Sequence, residues 1–205
     1  MNISIENLSL EIGDKKILTN INFDFKSGKI SKVEGANGCG KTSLLNCILG
    51  IYNDYSGLVR MNDELIEPNN QLKYNRKISF LISQKAHYDQ LTVSENINIF
   101  KYYYQVKEIA KELTQLYSIF GLTNFENVKA SNLSEGYKKK LSMILCLINN
   151  GDSIILDEPF NFLDQESVVS LKQYFTGCTA QKKSVIFSAH QQNIFDDMEI
   201  STLSL

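Results

Sequence analysis

The sequence predicts an α/β fold: a mainly parallel sheet covered on both faces, with antiparallel strands at the N-terminus and an inserted α-helical lobe. Three observations predict it. Ile30 to Glu34, Ser153 to Leu156 and Ser184 to Ser188 are short, mostly apolar runs of the kind buried on both faces of a sheet. Helix-like segments follow the first two, at Thr42 to Leu49 and around Glu166 to Phe175, which is the alternation of a parallel sheet. Between these halves, Ser94 to Gly121 turns helical, with Leu113, Leu116, Tyr117 and Phe120 at i, i+3, i+4 and i+7.

Taken in order, Ile3, Ile5, Leu8 and Leu10, then Ile21, Phe23 and Phe25, have the period-two spacing of two strands. Ile30 to Glu34 leads into a glycine-rich loop, and Gly50 is placed to cap the helix that follows. Leu58 to Met61 and Ile78 to Ser83 are further strands. One domain is expected over 1–205, with its core at about 1–85 and 151–205 and the helical lobe at about 86–150.

Bulk properties exclude several classes. A net charge of −2 offers no basic field, so no nucleic acid is expected as partner. Lys138-Lys139-Lys140 is expected to be a solvated helix face. No apolar run approaches a membrane span, and the N-terminus lacks the layout of a signal peptide. The four cysteines show no paired metal or disulfide spacing, so reduced thiols are expected.

Gly35, Gly40, Lys41 and Thr42 satisfy G-x-x-x-x-G-K-[ST] between a strand and a helix. Glycines let backbone N–H groups turn toward phosphate oxygens, and the helix N-terminus adds its dipole. The candidate nucleotide-binding residues are therefore Asn37, Gly38, Cys39, Gly40, Lys41, Thr42 and Ser43. Lys41 is expected to bridge the β- and γ-phosphates of a nucleoside triphosphate, and the Thr42 hydroxyl to ligate Mg²⁺. Ile154-Ile155-Leu156-Asp157-Glu158-Pro159 ends a buried strand with two carboxylates. Asp157 suits the metal and Glu158 the attacking water.

With these motifs in place, the chain resembles the ATP-binding subunits of ABC transporters over essentially its whole length. Gln84 resembles the family's Q-loop glutamine, and Leu91 to Ile97 its L-T-V-x-E-N. Leu133-Ser134-Glu135-Gly136-Tyr137 stands where the L-S-G-G-Q signature stands, Phe162-Leu163-Asp164 matches the D-loop, and His190 the switch histidine. The resemblance implies a P-loop NTPase core of ABC type. It implies ATP held between two protomers, with Ser134 and Gly136 of one facing the γ-phosphate on the P-loop of the other. Gln84 then senses Mg²⁺, and His190 positions Glu158 and the water.

Several positions depart from the family's pattern. Ile12 takes the place of the aromatic that stacks on adenine. Glu135 replaces a signature glycine and is expected to point outward, toward Lys138 or Lys139. Tyr137 replaces the signature glutamine, and the sequence offers no account of it. Cys39 is either a small filler or a thiol activated by the helix N-terminus.

The resemblance implies an ATP-hydrolysing subunit, cytoplasmic and peripheral on the inner face of the cell membrane. Its implied partners are a second copy of itself or a related ATPase subunit, and an integral membrane transporter subunit. Export of a peptide or other small molecule is the expected task. A haem-export subunit, or a soluble ATPase of an assembly complex, are the alternatives. Since Leu205 closely follows the last strand, no accessory regulatory domain is expected.

Overall fold

The computed structural model describes residues 1–67, 70, 73–74, 76–82, 85–106, 110–161, 163–190, 195 and 198–205. Gln84 and Phe162, both singled out in the sequence, lie outside these residues. β1 (Ile3–Ile12) and β2 (Lys15–Phe25) form an antiparallel hairpin, joined by β4 (Ser56–Met61) and β5 (Glu64–Leu65) in the order β2-β1-β4-β5. The second sheet is parallel in all its pairings, in the order β6-β7-β8-β3-β9. Its strands are β3 (Ile30–Glu34), β6 (Ile78–Leu81), β7 (Ser153–Leu156), β8 (Ser184–Ala189) and β9 (Ser201–Ser204).

Alternation along the parallel strands divides the core in two. Val33, Ile155 and Ile186 face α1 (Lys41–Ile48) and the antiparallel sheet, packing with Leu44, Leu45, Ile48, Ile5, Leu8 and Phe25. Ile30, Ile154, Leu156, Val185 and Phe187 face the opposite way. There they meet α2 (Val93–Tyr104), α3 (Ala110–Phe120), α4 (Glu135–Leu147) and α5 (Gln165–Ala180). The central helices thus share a continuous core with one face of the sheet. Phe120, Phe175 and Phe187 are fully buried there, each contributing about 1.5–3 kcal/mol through burial.

The stretch expected to be helical over Ser94 to Gly121 is two helices. Thr92 and Glu95 form a reciprocal capping box at the start of α2, and Gln105 ends it in the left-handed region at φ 56°. β6 also ends at Leu81, short of the expected Ser83. Ser134 caps α4 by accepting a hydrogen bond from the Tyr137 N–H, and Asp164 caps α5 in the same way from Ser167. No helix among the described residues is long and apolar enough to cross a membrane.

Candidate nucleotide-binding and hydrolysis site

β3, β7 and β8 run parallel and side by side, so their carboxyl ends open on one edge of the sheet. The loop after β3, Asp157 and Glu158 after β7, and His190 after β8 therefore converge although they are far apart in sequence. They border a cleft of about 180 Å³ lined by Ile17, Asn37, Gly38, Gly40, Lys41, Thr42, Ser43, Glu158 and His190.

Two glycines of the loop hold left-handed backbone conformations that any side chain would strain, in tight surroundings. A Cβ at Gly35, where φ is 154°, would lie 2.5 Å from the Cys39 Sγ. At Gly40, where φ is 109°, it would lie 2.9 Å from a Leu18 methyl and 3.1 Å from the Ile17 carbonyl oxygen. The second contact presses the start of α1 against β2. The first puts the Cys39 thiol directly beside the backbone at Gly35.

Lys41 is 4% exposed, and its ammonium donates to the carbonyls of Gly35 at 2.9 Å and Ala36 at 3.0 Å. It also meets His190 Nδ1 at 3.1 Å. An ammonium can only donate, so Nδ1 accepts and the imidazole proton sits on Nε2. That nitrogen faces the Glu158 carboxylate. Glu158 has φ 50°, a left-handed conformation costing a non-glycine residue about 1–2 kcal/mol. Its N–H is held by the Ser188 hydroxyl at 2.8 Å, and its second carboxylate oxygen by the Asn161 carboxamide at 2.6 Å.

Beside this chain of contacts, the Thr42 hydroxyl donates to Asp157 Oδ2 at 2.7 Å, and Ser188 donates to the other Asp157 oxygen. Among the described residues, no group of three or more His, Cys, Asp or Glu side chains could hold a metal without help. Thr42 and Asp157 supply hard oxygen atoms in contact. That fits Mg²⁺, which takes one or two protein ligands and completes its shell with phosphates and water.

The signature segment lies at the start of α4. Ser134 and Gly136 flank its N-terminus, where Ser134 and Glu135 are exposed. Glu135 points outward as expected, 2.7 Å from Lys138, which holds its carboxyl below the usual range. Tyr137 gains an explanation: its ring packs on Phe125 with centroids 4.6 Å apart, and the Lys140 ammonium lies 5.4 Å above it. The expectation of a solvated face over Lys138 to Lys140 is corrected at Lys140. That residue is 9% exposed and pairs with Asp164 at 2.7 Å, because one face of α4 packs inward.

Ile12 is half exposed near the tip of the β1–β2 hairpin and does not line the cleft. Ile17, on the returning strand, does. Sequence reasoning missed Ile17, Asn161, Ser188 and Lys140. Only Asn161 carried a local signal, three residues after Glu158 across a proline.

His87 received no role from the sequence. It is buried, its Nδ1 lies 3.0 Å from the Ser142 hydroxyl, and Ser142 also accepts from the Ala86 N–H. The stretch after Gln84 is thereby tied to α4. His87 Nε2 has no hydrogen-bond partner, although Asp89 Oδ1 lies 3.2 Å away. Burial lowers the His87 pKa below its ordinary value.

The ABC transporter family model matches residues 18–161, well over half the chain. An uncharacterized ABC transporter ATP-binding protein of Methanocaldococcus jannaschii is 32% identical over 92% of this chain and 68% of its own length. The cytochrome c biogenesis ATP-binding export protein CcmA of Histophilus somni is 31% identical over 93% of this chain and 87% of its own. Among solved structures, an ATP-binding subunit of an ABC transporter superposes with a TM-score of 0.89 at 21% identity, covering 100% of this chain and 86% of that one. The cassette MJ0796, solved as a dimer with ADP and Pi, gives 0.79 at 24% identity, covering 94% and 89%. With the family model spanning the phosphate loop and both strand-end carboxylates, the chain belongs to the ABC transporter family, as one of its ATP-binding ATPase subunits.

Proposed function

We propose that two copies of this chain, or one copy and a related subunit, clasp two ATP molecules between them and hydrolyse them to drive a separate membrane subunit. The observation that carries this reading is the convergence of Lys41, His190 and Glu158 on the loop cleft, beside the Thr42–Asp157 pair. In this reading Lys41 leaves its carbonyl partners to bind the β- and γ-phosphates. The loop N–H groups from Asn37 to Ser43 cradle the remaining oxygens. Thr42 and Asp157 would hold Mg²⁺, and the resemblance adds Gln84, outside the described residues, to that set. Mg²⁺ supplies positive charge against the phosphates. His190 turns from Lys41 to the γ-phosphate, and Glu158 takes a proton from the attacking water.

Ser134 and Gly136 have no part in their own chain's cleft. The exposed N-terminus of α4 therefore suits the γ-phosphate on a second protomer. Ile12 is free to touch the adenine from the hairpin tip. An aliphatic contact lacks π stacking, so discrimination among purines is weak.

The membrane partner is assigned to a groove of about 440 Å³ between β6 and the helices. Phe80, Leu81, Ile82, Phe100 and Tyr104 make it apolar. Asn46, only 8% exposed, also lines it. Tyr102 and Tyr103 stand exposed on α2, the helix that also carries Phe100 and Tyr104. A short cytoplasmic helix of a membrane protein would bury this surface. In this reading the chain sits peripherally on the inner face of the cell membrane. The cargo is selected by the membrane subunit, with export of a peptide or other small molecule as the first reading. Relatives named as cytochrome c biogenesis export proteins favour a second, a haem-export subunit.

Purified protein tests the hydrolytic step. The wild type is expected to release phosphate from MgATP, and Glu158→Gln to bind MgATP with turnover lost. Wild-type turnover in Glu158→Gln would move the base to another residue.

A further inference from the structure

We propose that Asn161 is a positioning residue for hydrolysis, holding one carboxylate oxygen of Glu158 so that the other is left for the water. This rests on the assignment of Glu158 as the base.

The geometry is local. Glu158-Pro159-Phe160-Asn161 is a turn closed by the Asn161 N–H donating to the Glu158 carbonyl at 3.2 Å, with proline at its second position. The turn brings the two side chains to one side. Asn161 Nδ2 donates to Glu158 Oε2 at 2.6 Å, while Oε1 faces His190. The bond is direct and side chain to side chain, and a carboxylate acceptor makes such a bond stronger than one between neutral groups.

The arrangement answers a problem that the switch creates. A glutamate has free rotations about three side-chain bonds, and a base is effective only when its lone pair meets the water. When His190 turns to the nucleotide, Oε1 loses its partner. Without a second anchor the carboxylate would then be free to swing. Asn161 remains bonded to Oε2, so the carboxylate plane persists and Oε1 becomes the oxygen presented to the water. Asn161 is exposed and belongs to neither apolar cluster, so core packing does not explain it.

The test compares Asn161→Ala and Asn161→Asp with the wild type in steady-state ATP hydrolysis and thermal unfolding, with Glu158→Gln alongside. Alanine removes the donor. Aspartate is isosteric but adds a like charge against Glu158. The expected order of kcat is wild type, then Ala lower by about tenfold, then Asp lower again, with KM for ATP and Tm unchanged. Wild-type kcat in Asn161→Asp, or a kcat loss that tracks a fall in Tm, would overturn the proposal. If Glu158→Gln itself turned over normally, the base assignment would be what had failed.

Discussion

Lys140 and Asp164 meet at 2.7 Å, joining the helix that follows Ser134 to the loop that follows Glu158. The same carboxylate caps α5 through the Ser167 N–H at 2.8 Å. The Lys140 hydrogen bond, then this cap, hold the Asp164 carboxyl well below the usual range. Asp164→Ala removes both contacts and leaves the Lys140 ammonium largely buried. We expect it to cost about 1–3 kcal/mol of stability in denaturant unfolding. Asp164→Asn keeps a capping oxygen and should cost less. Equal costs would mean that the cap contributes nothing.

The Thr42–Asp157 contact predicts how the metal enters. Thr42→Val and Asp157→Asn each remove a hard oxygen ligand or its charge while leaving the loop backbone intact. ATP binding in EDTA should stay near the wild-type level in both. The tightening of binding on adding Mg²⁺ should fall by about tenfold or more. Titration with a fluorescent ATP analogue, with and without Mg²⁺, reads both quantities. An unchanged Mg²⁺ effect in both variants would place the ion elsewhere.

Thiol chemistry should find Cys39 first. Burial pushes the Cys47 thiol up to about 12 and raises Cys146 and Cys178 as well, so these three stay protonated and enclosed. Cys39 is partly exposed in the loop. One equivalent of a maleimide at neutral pH should modify Cys39 and block ATP binding, and prior ATP should protect it. Peptide mapping that found Cys47 labelled ahead of Cys39 would contradict the burial pattern.

His87 predicts an acid-side loss of stability. Desolvation lowers its folded pKa below 6.5, so in the window between the two values the unfolded chain binds more protons than the folded one. Its contribution is therefore complete above 6.5 and is lost as pH falls toward the folded value. His87→Asn should keep a group able to bond Ser142 without titrating. The difference in denaturant midpoint between pH 7.5 and pH 5.5 should be smaller in the variant than in the wild type. Identical differences would show that His87 does not titrate differently on folding.

Much of this fold was legible because its signals are local. The strand–loop–helix of the phosphate site, each apolar parallel strand and the L-T-V-S-E capping box are all read from short contiguous segments. What escaped depends on distance. Lys140 sits in a basic run that looks solvent-facing, and only the packing of α4 against the sheet turns it inward toward Asp164. Ile17 reaches the cleft because the hairpin folds β2 beneath Gly40, a contact that no spacing in the sequence reports. Tyr137 broke the signature pattern, and its reason lies in Phe125, twelve residues upstream. Asn161 was within reach, since E-P-x-N is a turn that returns one side chain to another.

The central claim is that each ATP is completed only by two protomers. Sedimentation velocity on Glu158→Gln tests it most directly, with saturating MgATP and with nucleotide omitted. The account predicts a monomer without nucleotide and a stable dimer with MgATP, abolished when Ser134 is changed to a bulky residue in the same background. A Glu158→Gln protein that binds MgATP yet sediments as a monomer would contradict it.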